Sequence, residues 1–140
     1  PGARGRRAEM TLAPLLAASP AIQLHTATAL AAFALGLVQL AGPKGRAAHR
    51  VLGWIWVGLM AVVAVTAFFI HELRVWGDRS PIHPLAVLVL VSLPLAVVAA
   101  RRHDVQRHRR VMLGRFLGAL LIAGAFTLGP GRLMHAVVFG

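Results

Sequence analysis

The chain has no cysteine, and only four of its 140 residues are acidic. The first absence excludes disulfides, thiolate metal sites and iron–sulfur clusters. Histidine, at seven copies, is left as the plentiful ligand-capable residue. No Asp or Glu falls inside any of the long apolar runs, which removes the usual basis for relaying protons or binding cations within a membrane. Ser19, Ser80 and Ser92 have no acid–base pair beside them in the sequence, so no hydrolase constellation is visible. Charge is scarce as well. Charged residues make up 14% of the chain and hydrophobic ones 58%, with a mean hydropathy of +0.73. A soluble domain is about a quarter charged.

Apolar runs fill the space that charge leaves. Residues 51–70 are twenty positions without a charge, and a helix of that length spans about 30 Å, the thickness of a bilayer's hydrocarbon core. The pattern predicts an all-α polytopic membrane protein with four spans, at about 21–41, 51–70, 82–100 and 111–128. Residues 21–140 then form one four-helix transmembrane bundle. Residues 1–20 form an N-terminal tail. Its stretch 10–20, broken by Pro14 and Pro20, is expected to lie at the interface. Met10 is a candidate start, with 1–9 an upstream or non-native extension left out of the fold reasoning.

The net charge of +11 raises the question of nucleic acid. The cations lie instead in short linkers beside the spans, where orientation and anionic headgroups account for them. The linkers after the first and third spans carry eight Lys and Arg, nine with Arg115. The opposite face carries Arg74, Arg79 and Arg132, or six cations if Arg4, Arg6 and Arg7 are native. Either count predicts cytoplasmic basic linkers and both termini outside, in the periplasm of a two-membrane bacterium. Arg115, just inside the fourth span, is expected to snorkel outward. Pro94 is expected to kink the third span. Small residues four apart, at Ala27 and Ala31, Ala32 and Gly36, and Gly114 and Gly118, are expected to let helices approach closely.

The two halves resemble each other. Ser19-Pro20 and Ser80-Pro81 open two hairpins, and HRVLG at 49–53 matches HRRVMLG at 108–114. Two tandem hairpins in parallel are related by an axis along the membrane normal. The repeat pairs His25 with His83 at one face and His49 with His108 at the other. His71 and His135 form a third pair, and His103 has no counterpart.

A single histidine at a helix end is ordinarily a polar tip at the interface, and His103 and His108 lie in a basic run of the kind that is usually solvated. The pairing points further. A haem iron takes axial ligands from both sides of its ring, and facing helices of a bundle can supply two imidazoles. His25, His83, His49 and His108 are the candidate haem b ligands. Arg50, Arg109 and Arg132 are candidates for propionate or headgroup contacts. The alternative is zinc or copper, held by His25, His71, His83 and His135 with Glu72 as a further ligand or base.

The segments QLHTATALAA, HRVLGWIWV, FFIHE, SPIHPL, HRRVMLGRFLG and PGRLMHAVVFG resemble a prokaryotic family of predicted four-helix membrane proteins of unknown function, over about 20–140. The resemblance implies a bacterial inner-membrane location and little about activity. A more distant likeness is to transmembrane b-type cytochromes with two haems in a four-helix core. In those proteins one haem is held by the first and third core helices and the other by the second and fourth. That likeness implies an outer haem at His25 and His83 and an inner haem at His49 and His108.

The function expected is therefore haem or metal binding in electron transfer. The partners would be membrane lipid and a quinone-pool or periplasmic redox protein, without nucleic acid. The alternative is a non-catalytic accessory subunit of a larger membrane complex. An electron carrier or such a subunit is expected rather than a stand-alone enzyme.

Overall fold

The computed structural model describes residues 10–70 and 82–139. The described residues are helical, with no strand among them. The elements are α1 (Ala13–Leu16), α2 (Pro20–Ala41), α3 (Ala47–Ala67), α4 (Ile82–Arg101), α5 (Val105–Arg115), a π-helical segment (Phe116–Ile122), α6 (Ala123–Thr127) and α7 (Leu133–Phe139). α5, the π segment and α6 run on as one span, Val105–Thr127. With α2, α3 and α4 it makes four helices long and apolar enough to cross a membrane.

Local chemistry sets the helix ends. Ser19 caps α2, its Oγ accepting from the Ile22 N–H at 3.4 Å, and Pro20 follows at the first helical position, where no N–H is needed. At the other end the Lys44 ammonium donates to the carbonyls of Gln39, Leu40 and Gly42 at 2.6–2.7 Å, a cation placed on the negative end of the helix dipole. Asp104, the one acidic side chain among the described residues, caps α5 by accepting from the Arg107 N–H at 3.1 Å.

His103 closes α4 in the left-handed region at φ 56°. The Asp104 and His103 N–H groups turn back to the carbonyls of Ala99 and Ala100. This is the reversal that normally favours glycine. His103→Gly is therefore expected to raise stability by about 0.5–1 kcal/mol, read as a higher unfolding temperature in detergent. The side chain is exposed, in keeping with the solvated reading.

Two spans start earlier than hydropathy alone suggests. α3 begins at Ala47 rather than 51, and the fourth span begins at Val105 rather than 111. The basic residues of HRV and RHRR are good helix formers and extend each helix out past its apolar run. His49 and His108 consequently lie within the first turn of their helices. α4 runs unbroken through Pro94.

The helices form a ring. α2 packs on α3, α3 on α4, α4 on α5, and the π segment closes back onto α2. α2 therefore stands diagonally across from α4, and α3 from the fourth span. The core is made by Ala32, Trp56, Met60, Ala64, Ala67, Ala86, Val89, Leu93, Phe116 and Leu120. Phe33 and Phe116 stack at 5.7 Å across α2 and the π segment. No span has more than 33% of its apolar window buried. Leu30, Leu37, Ile55, Val65, Val87, Leu88, Val91, Leu117 and Phe126 face outward. An apolar exterior of this extent needs lipid rather than water.

At one end, α1 meets α7, and the Thr11 N–H donates to the Val137 carbonyl at 2.9 Å. Both ends of the described chain thus share one end of the bundle. The basic linkers, with Lys44, Arg46, Arg101 and Arg102, share the other. There Arg101 lies 5.8 Å over the Trp54 ring. Seven-residue α7 is too short to cross again.

Candidate functional site

The inward face of each helix is a stripe at helical spacing. On α2 it runs His25, Ala29, Ala32, Gly36, Gln39. On α3 it runs His49, Gly53, Trp56, Met60. On the fourth span it runs His108, Met112, Arg115, Ala119. Ala32, Gly36, Trp56 and Met60 are buried, and Ala29, Met112 and Ala119 pack against the core. His25, His49 and His108 head these stripes and are half-buried. His83, also half-buried, stands in the first turn of α4 and stacks on Phe68 at 5.7 Å.

The histidines fall at two levels. His25 sits beside Val63 and Thr66 of α3, fourteen residues beyond His49 on the same helix. His108 sits beside Ala96, thirteen residues beyond His83 on α4. Either interval is about 20 Å of helix. Each level draws its two imidazoles from diagonal helices, α2 and α4 at the terminal end, α3 and α5 at the basic end.

The hydrogen bonds fix the ring tautomers. His25 Nδ1 lies 3.0 Å from the Val63 carbonyl and 3.0 Å from Thr66 Oγ1. A carbonyl only accepts, so Nδ1 carries the proton and Nε2 keeps its lone pair. The Thr66 hydroxyl spends its own proton on the Val62 carbonyl at 2.7 Å, which leaves its oxygen free to accept from His25. His108 Nδ1 donates to the Ala96 carbonyl at 3.0 Å, and His135 Nδ1 to the Leu128 carbonyl at 2.7 Å. A backbone carbonyl on one ring nitrogen is the arrangement that orients an imidazole for metal ligation through the other. His49 differs. Its Nδ1 is buried and has no hydrogen-bond partner, while its carbonyl accepts from Gln39 Nε2 at 2.9 Å.

Imidazole nitrogens of this kind are chemically able to ligate a haem iron. Two of the four imidazoles have Nε2 left basic, and a third holds an unpartnered ring nitrogen. Ala64, Ala67 and Ala86 lie in the packed core toward the terminal end. The zinc or copper set lies only partly within the described residues. Among the described residues no three of His, Cys, Asp and Glu come together, and a structural zinc site needs four ligands. His71 and Glu72 lie outside the described residues. His135 stands on α7 against Phe139, at 4.9 Å.

The arginines divide. Arg109 is exposed at the basic end, Arg50 is exposed with Nη1 3.5 Å from the Gly45 carbonyl, and Arg132 is half-buried at the terminal end. Arg115 lies seven residues beyond His108 on the fourth span. It occupies the inward stripe, half-buried, with Nε buried and without a partner. Its spacing from His108, seven residues, was legible as one helix face. Which face turned inward was not.

A family model described as "Predicted membrane protein (DUF2306)" matches residues 22–138. No curated protein and no solved structure matches the chain. These comparisons show no likeness to two-haem cytochromes.

Proposed function

The chain belongs to this family of predicted membrane proteins, and from that premise we propose that it is a transmembrane b-type haem protein that carries electrons. The observation that carries the reading is the pair of imidazole levels about 20 Å apart, each drawn from diagonal helices. Haem b, when bound, supplies reversible one-electron chemistry. His25 and His83 are the ligands at the terminal end, and His49 and His108 those at the basic end. Val63, Thr66 and Ala96 hold the rings of His25 and His108 in the ligating tautomer. Arg50, Arg109 and Arg132 meet propionates or headgroups at the two surfaces. The excess of cations at the basic end supports a cytoplasmic position for that end, in a bacterial inner membrane on this reading. The donors and acceptors are then a quinone pool or a periplasmic redox protein.

The test is a reduced-minus-oxidised spectrum of the detergent-purified protein, with haem assayed per chain. Two haems b per chain are expected. His25→Ala or His83→Ala should remove one, and His49→Ala or His108→Ala the other. A featureless spectrum from protein made with ample haem would sink the reading, and elemental analysis of the same sample would decide on zinc or copper.

A second reading is favoured by the outward glycines. A Cβ at Gly58, Gly114 or Gly118 would meet nothing within 4 Å, so these positions are open to close approach by another transmembrane helix. An accessory subunit of a larger complex would copurify with a stoichiometric membrane protein and carry no cofactor.

A further inference from the structure

Among the described residues two buried side-chain nitrogens lack a hydrogen-bond partner, His49 Nδ1 and Arg115 Nε. Both belong to inward stripes in the basic half of the bundle. An arginine inside a span is costly and is ordinarily paired. Among the described residues Asp104 is the only acidic side chain, and it is spent capping α5. The surrounding end of the bundle is basic, with Lys44, Arg50 and Arg109 in its linkers and first helical turns. Small residues line this end of the bundle. Gly53 follows His49 on the α3 stripe, and a Cβ on it would meet only Gln39 Nε2, at 3.5 Å. Opposite, α4 presents Ala96 and Ala99, both buried and small. Helical rotamers direct the Arg115 side chain back toward the start of its helix, toward the level of His108.

We propose that Arg115 binds an oxyanion, a carboxylate or a phosphate, that enters the basic end of the bundle beside His49 and His108. A planar guanidinium is suited to either group. The anion has two possible sources, an anionic lipid's phosphodiester or the carboxylate of a bound cofactor. The lipid arm does not depend on the proposed function; the cofactor arm rests on it.

Two titrations of the purified full chain separate the sources. In the first, native mass spectrometry of haem-free protein compares retention of phosphatidylglycerol with phosphatidylcholine. In the second, the haem-free protein is titrated with haem and with its dimethyl ester, in which both carboxylates are blocked. The wild type is expected to prefer the anionic ligand about tenfold in one of the two titrations. Arg115→Gln is expected to abolish that preference, Arg115→Lys to retain part of it, and Arg109→Gln to leave it intact. Loss of the lipid preference assigns a phosphate, and loss of the haem-over-ester preference assigns a propionate. Equal retention of both lipids together with equal affinity for haem and its ester overturns the proposal. That outcome is read on the wild type, so it does not depend on whether a variant folds. If no haem binds at all, the proposed function fails while the lipid titration still decides the role of Arg115.

Discussion

Gly36→Leu is expected to keep the bundle from closing. A single Cβ at position 36 would stand 2.4 Å from Phe116 Cε2 and 3.2 Å from Trp56 Nε1. Phe116 cannot easily yield. It is buried, and it stacks nearly parallel to Phe33 at an interplanar angle of 8°. Trp56 is tied by its indole N–H to the Ala32 carbonyl at 3.0 Å. Over-packing a closed core by one methyl costs about 1–3 kcal/mol, so Gly36→Ala should lower the unfolding temperature measurably. Leucine should exceed that range and leave little folded protein in detergent. The mechanism has a specific signature. Phe116→Ala should rescue Gly36→Ala, because it removes the atoms that the new methyl strikes, and the double-mutant cycle should show coupling of about 1 kcal/mol or more. Gly58→Ala, where a Cβ meets nothing within 4 Å, should change stability by less than about 0.5 kcal/mol. Equal effects at positions 36 and 58 would refute the packing account.

Trp56→Ala should be nearly as damaging. The side chain is 3% exposed at the centre of the core. Its removal leaves a cavity between α2, α3 and the π segment, with an expected cost of about 3–5 kcal/mol. The loss here is one of packing, because lipid tails are as apolar as the protein interior and give no hydrophobic drive between helices. The hydrogen bond contributes less. Trp56→Phe keeps most of the volume and deletes the donor, and it should cost only about 1 kcal/mol. Thermal unfolding of the two variants side by side separates the terms. If phenylalanine proves as harmful as alanine, the hydrogen bond rather than the volume holds α2 to α3.

Both variants also bear on the site. Gly36 and Trp56 lie between the two histidine levels, on the same stripes as His25 and His49. Loosening this middle layer is expected to broaden the geometry at both levels, although neither residue touches a histidine.

The sequence by itself determined that this is a four-span membrane protein, which end of the bundle is basic, and that histidines stand at both ends of the hairpins. Those features are local. A run of about twenty apolar residues must be a helix in lipid, because only a helix satisfies its own backbone there. The repeat in the sequence set His25 against His83 and His49 against His108 as counterparts. Only the tertiary structure decided how each helix is rotated about its axis. It brought Arg115 inward, turned Gly114 and Gly118 toward lipid while Gly36 closed on Phe116, and gave His25 and His108 their carbonyl partners. In water, an alternation of polar and apolar residues would have marked the buried face. In these spans both faces are apolar, so the pattern carries no such mark. Close packing with the neighbouring helices sets the rotation instead.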